Sequence, residues 1–134
     1  MTTSKVIYQG KLRTECTHLQ SGAKFITDAP IDNQGKGEAF SPTDTVATGL
    51  ANCMLTVMGI KANDLGENID GTIANVTKIM AANPRRISTI KIELNFPEGI
   101  SEKNQIILER TARTCPVALS LHTEITQDIQ FCWQ

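Results

Sequence analysis

Aromatic side chains are scarce in this 134-residue chain, with one tryptophan, one tyrosine and four phenylalanines. So few flat rings leave no base-stacking platform for single-stranded nucleic acid. An excess of one charge is also missing. Thirteen basic face fourteen acidic side chains with no large cluster of either sign, which argues against nucleic acid or an anionic membrane as the partner. Histidine occurs only as His18 and His122, and none of the four cysteines forms C-x-x-C. Zinc-type ligand spacing is therefore absent, since the Cys16-x-His18 step supplies only two ligands. The start MTTSKVIYQG has no apolar signal-peptide core, so the chain is expected in a reducing cytoplasm, where a structural disulfide framework is not expected. No repeat, linker or low-complexity stretch divides the sequence. Residues 1–134 read as a single domain, long enough to bury a core.

What the sequence does have is one long uncharged stretch, Val46 to Ile60, inside Phe40–Asn63. Ser41 or Thr43 is a candidate N-cap, Pro42 suits a first helical turn, and Asp44 suits the positive end of a helix. Val46, Leu50, Val57 and Ile60 share a face with Cys53. Ala47, Ala51, Met54, Leu55 and Met58 cover most of the rest. A helix apolar nearly all round is expected to be buried all round. Thr48, Asn52 and Thr56 interrupt it, which favours a soluble core over a bilayer span. A second thiol, Cys115, precedes Pro116. Proline at a first helical position makes Cys115 the N-cap, where backbone N–H groups favour thiolate over thiol. A buried central thiol and a polarised one on a helix start form a redox pair if the fold brings them together. The alternative for any one cysteine is a small buried hydrophobe.

The remaining pattern is short strands and two further helices. Lys5–His18 reads as two short strands around Gly10 or one strand with a bend, and Ala23–Thr27 returns as a further strand after a Ser21-Gly22 hairpin turn. Arg13 on the second strand reads as a solvated strand residue. Asp28–Glu38 reads as a mobile polar loop, and its Gly35-Lys36-Gly37 lacks the spacing of a phosphate-binding loop. Thr72–Ala82 reads as a strand. Ile90, Ile92, Leu94 and Phe96 alternate with Thr89, Lys91, Glu93 and Asn95, the mark of a strand with one buried and one wet face. Ser101 can cap a helix to about Thr114, a short helix follows Pro116, and Glu124–Cys132 closes as a strand. His122 reads as a helix-end or surface group. This order predicts an α+β fold with antiparallel pairing. So much oily helix surface on so small a chain suggests that a second copy supplies part of its cover.

Taken together, Ser41-Pro42, the run Ala47-Thr48-Gly49-Leu50-Ala51-Asn52-Cys53, Thr27-Asp28-Ala29-Pro30 and Cys115-Pro116-Val117 resemble the osmotically inducible protein C and organic hydroperoxide resistance family, in its smaller members. The likeness spans essentially the whole chain. It implies an antiparallel sheet wrapped around a long buried central helix, in an intertwined homodimer with active sites at the interface. It also implies a peroxidase without metal, haem or other cofactor. Cys53 would be the peroxidatic thiol, Cys115 the resolving thiol, and Arg13 the activating guanidinium. The substrate would be an alkyl or fatty hydroperoxide, and the reductant an external dithiol such as a lipoylated protein. The family's helix-start glutamate is Thr43 here, with Asp44 one residue on and so about 100° further round the helix. Two other classes stay open: a non-catalytic dimeric module that binds an apolar small ligand, and an acyl-thioester-handling domain.

Overall fold

A computed structural model describes residues 1–134. The elements are β1 (Ser4–Gly10), β2 (Arg13–His18), β3 (Lys24–Asp28), a 3-10 turn at Ile31–Asn33, α1 (Pro42–Leu65), β4 (Ile73–Ala81), β5 (Arg86–Asn95), α2 (Glu102–Arg113), α3 (Pro116–Ser120) and β6 (Thr126–Cys132). The sequence reads as one domain, and its packing resolves into two compact units, Met1–Val46 and Ala47–Gln134, with the boundary inside α1.

The first unit is an antiparallel sheet in the order β1-β2-β3. Gly10, Lys11 and Leu12 turn in the left-handed region, so Leu12 belongs to the turn between β1 and β2. Val6 pairs with Cys16 and Cys16 with Phe25, while Tyr8 pairs with Thr14 and Thr14 with Thr27. These six side chains share one sheet face, on which Val6, Tyr8 and Phe25 are exposed. The loop after β3 is exposed but held by its own backbone hydrogen bonds. Gly35 N–H and Gly37 N–H donate to the carbonyls of Pro30 and Ala29 at 2.9 and 3.2 Å. A Cβ on Gly35 would lie 1.7 Å from the Ala29 carbonyl oxygen, so only glycine fits there. Of the two candidate caps for α1, Ser41 takes the position. Its Oγ accepts Asp44 N–H at 3.1 Å, and Asp44 Oδ2 accepts Ser41 N–H at 2.9 Å. This reciprocal pair is a capping box.

The second unit holds the hydrophobic core. Strand β5 alternates as expected, with Ile90, Ile92 and Leu94 buried and Lys91 and Glu93 exposed. Strand β4 pairs with it antiparallel, but β6 pairs with β5 in parallel, from Thr89↔Thr126 to Asn95↔Cys132. The expectation of purely antiparallel pairing is thus corrected. The segment carrying α2 and α3 is long enough to return the chain in the same direction. Helix α1 is likewise not buried all round. Ala47, Leu50, Ala51, Met54, Met58 and Ala62 form its buried stripe, whereas Val46 is 42% and Ile60 61% exposed. By length and composition α1 could cross a membrane, yet its buried stripe is part of this core.

Candidate functional site

Cys53 sits on the flank of α1, between the buried stripe and the exposed side, and packs partly against the core. Cys115 is fully buried at 1% exposure. The joint between α2 and α3 fixes it. Its N–H donates to the Ala112 carbonyl at 3.2 Å, closing α2, and its Sγ accepts Ala118 N–H at 3.4 Å, opening α3. Pro116 follows as the first helical residue, so the N-cap expected for Cys115 is present. The Cys53 side chain is near enough to the Cys115 thiol to act on its ionisation. Two sulfurs sixty-two positions apart in the chain are thereby brought together inside one unit, and neither is in a disulfide.

The ionisation of Cys115 runs against the sequence expectation. Burial pushes its thiol above the ordinary range, and the neighbouring Cys53 pushes the same way. The N–H groups of Ala118 and Val117 oppose this but are outweighed. A five-residue helix offers few aligned dipoles, while desolvation acts on the whole charge. Cys115 is therefore a proton-holding partner rather than a standing thiolate.

Arg13 is not a solvated strand residue. It pairs across the β2–β3 ladder with Asp28. Its Nε donates to Oδ1 at 2.6 Å and its Nη2 to Oδ2 at 2.8 Å, a two-point clamp on a carboxylate only 1% exposed. The same Nη2 also donates to Glu38 at 3.2 Å, and Glu38 N–H donates to Asp28 Oδ2 at 3.2 Å. Arg13 holds the Asp28 carboxyl below the usual carboxylate range, and Asp28 in turn raises the already high Arg13 value. Sequence reasoning missed Asp28 and Glu38. The ladder does contain the signal, because Arg13 and Asp28 face each other once the turn is known. However, that turn closes between His18 and Ala23, so a two-residue turn at Ser21-Gly22 sets the register two residues off. Asp44 is occupied as the capping partner of Ser41, and Thr43 Oγ1 lies 3.3 Å from Ser41 Oγ.

Elsewhere, Cys16 lies on β2 beside Thr14, and Cys132 ends β6 opposite Asn95. His122 Nδ1 accepts Glu124 N–H at 3.0 Å at the end of α3. No three His, Cys, Asp or Glu side chains are grouped to hold a metal ion.

Comparison with known proteins places this geometry in context. Residues 35–130 match the family described as OsmC-like protein. A crystal structure from Psychrobacter arcticus 273-4, of a protein named for osmotic stress induction and a detoxification response, is 59% identical. It covers 98% of this chain and 96% of that one, with a TM-score of 0.95. An organic hydroperoxide resistance protein OsmC from Legionella pneumophila is 15% identical over 98% of each chain, with a TM-score of 0.76. An OsmC-like protein from Mycoplasma pneumoniae is 16% identical over 97% of this chain and 94% of that one, with a TM-score of 0.81. The last two share the fold. No curated protein matches the chain.

Proposed function

The chain belongs to the OsmC-like protein family, and from that premise we propose that it is a cysteine-based peroxidase that reduces organic hydroperoxides. The observation that carries this reading is the proximity of Cys53 to Cys115, one thiol partly buried and the other fully buried. In this reading the Cys53 thiolate attacks the hydroperoxide. The O–O bond breaks, the alkoxide leaves and takes a proton to become an alcohol, and Cys53 becomes a sulfenic acid. The Cys115 sulfur then bonds to the Cys53 sulfur, the S–O bond breaks, and water leaves with the Cys115 proton. An external dithiol, a small molecule or a lipoylated protein, attacks the disulfide, is itself oxidised and restores both thiols. No metal or organic cofactor enters these steps. The apolar residues around Cys53 favour alkyl or fatty hydroperoxides over hydrogen peroxide.

The role of Arg13 rests on the family resemblance. In general a guanidinium that meets a reactive thiol steadies the thiolate and the departing oxygen. Its support here is that Asp28 fixes the orientation of the group. Asp28 and Glu38 are carboxylates that hold Arg13. The proposal includes a homodimer, for which the exposed Val6, Tyr8 and Phe25 on the first sheet and Ile60 on α1 speak. It also includes a cytoplasmic role in oxidative stress defence.

The test is to treat reduced protein with one equivalent of tert-butyl hydroperoxide and map its disulfides by mass spectrometry. A Cys53–Cys115 link is expected. Four persistently free thiols would reject the peroxidase. That result would favour a non-catalytic dimeric module for an apolar ligand, a reading supported by Arg13 already being engaged by two carboxylates.

A further inference from the structure

Strand β6 and the residue beyond it tie down both helices that meet at Cys115. At the start of the strand, Gln127 Nε2 donates to the Ala118 carbonyl of α3 at 3.0 Å. At its end, the Arg113 guanidinium lies over the Phe131 ring, 5.2 Å from its centre. Just past the strand, Trp133 stacks on Phe96 at 3.8 Å and 12° and donates its indole N–H to Glu109 at 2.9 Å. Glu109 and Arg113 lie one turn apart on α2, beside the buried Leu108 and Ala112. The second unit thus grips α2 along its last turn and a half, and grips the five-residue α3 through a side-chain hydrogen bond.

No linker separates the two helices. Thr114 is the C-cap of α2, and the next residue, Cys115, is the N-cap of α3. A disulfide needs its sulfurs about 2.05 Å apart with a dihedral near 90°, closer than any thiol–thiol hydrogen bond. Forming that bond reorients the Cys115 sulfur, which here accepts Ala118 N–H at 3.4 Å. A buried sulfur can move in a defined direction only if one side of its hinge stays fixed. We propose that Trp133 and Glu109, helped by Arg113 on Phe131, are positioning residues that hold the end of α2 fixed, so that Cys115 presents its sulfur to the Cys53 sulfenic acid. This rests on the peroxidase reading above.

The experiment follows two steps in the full-length reduced protein after mixing with tert-butyl hydroperoxide, quenching with an alkylating agent and analysing by mass spectrometry. One is the loss of the Cys53 thiol, the other the appearance of the Cys53–Cys115 disulfide. E109A and W133F each remove the indole hydrogen bond, and W133F keeps an aromatic ring on Phe96. Both should slow disulfide formation about fivefold, as loss of one hydrogen bond to a charged acceptor allows, and leave the first step unchanged. The E109A/W133F double variant should be no slower than either single one, because all three lack the same bond. E109Q, whose amide oxygen still accepts from the indole, should restore the rate. With excess hydroperoxide, the slowed variants should accumulate more Cys53 sulfinic acid, formed when a second peroxide oxidises the waiting sulfenic acid. Wild-type rates of disulfide formation in E109A and W133F would overturn the positioning role alone. A parallel fall in both steps, tracking a drop in Tm, would overturn it as well. Absence of the disulfide in the wild type would overturn the peroxidase reading and this role with it.

Discussion

Arg13 grips Asp28 edge-on across neighbouring strands, at 2.6 and 2.8 Å, and the gripped carboxylate is almost wholly out of solvent. Removing Arg13 leaves the Asp28 charge without its match in a place that water barely reaches. D28N keeps the shape of the side chain and loses the charge. The folded protein holds this carboxyl below its ordinary value, so it binds that proton less readily than the unfolded chain does. The resulting stability is fully present above the unfolded value, about pH 4, and drains away as pH falls through the folded one. Urea midpoints of wild type and D28N should therefore differ by a constant amount from pH 7 to about pH 5 and converge on acidification. A gap that stays constant down to pH 2.5 would show that the pair carries no such linkage.

Cys115 should behave in the opposite sense. Burial and the neighbouring Cys53 raise its thiol above the ordinary range. The unfolded chain therefore releases this proton first, and the protein should lose stability as pH climbs above about 8.5. Thiolate absorbance at 240 nm in a C16S/C132S background should show one titration above that range. C53S on the same background should lower it only part of the way, because burial is the leading cause and Cys53 the lesser one. Full return to the ordinary value in C53S would reverse that order.

Ser41 is 2% exposed and joined to Asp44 by two hydrogen bonds at the start of α1. Alanine at position 41 should cost about 1–2 kcal/mol by chemical denaturation, the range for losing a serine cap. D44N should cost less, since an asparagine oxygen still accepts the Ser41 N–H. A larger loss in D44N than in S41A would mean that the charge of Asp44, rather than the cap, dominates there.

The two sides of α1 should respond differently to substitution. Met54 is 0% exposed and Ile60 61% exposed within one protomer. M54A opens a cavity and should cost about 2–5 kcal/mol. I60E fills no core space, so its effect should fall on assembly. In sedimentation the wild type should run at twice 14.6 kDa, with I60E and F25D shifted toward 14.6 kDa. A wild type that sediments as a monomer would remove the dimer from the proposal.

Much of the fold was legible because its signals are short. The alternation around Ile90–Phe96, the Ser101 cap and the Cys115-Pro116 helix start each depend on residues within about four positions of one another, and each is found as read. Register was harder to read. The partner of Arg13 depends on where one hairpin closes, and a shift of two residues hides Asp28. Gly35 looked like part of a mobile connector because nothing local reveals that its α-carbon approaches the Ala29 carbonyl. The parallel β5–β6 pairing was hidden for a similar reason, since it depends on the path of the intervening helices.

By itself the sequence determined which segments become helix or strand, where α2 and α3 start, and that two thiols stand in marked positions, because propensity, caps and periodicity act over a turn or a pleat. Tertiary structure alone decided that Cys53 and Cys115 meet, that Cys115 keeps its proton and that Arg13 answers to Asp28. Proximity across tens of residues, and the cost of charge away from water, are properties of the packed neighbourhood, and no short stretch of chain encodes them.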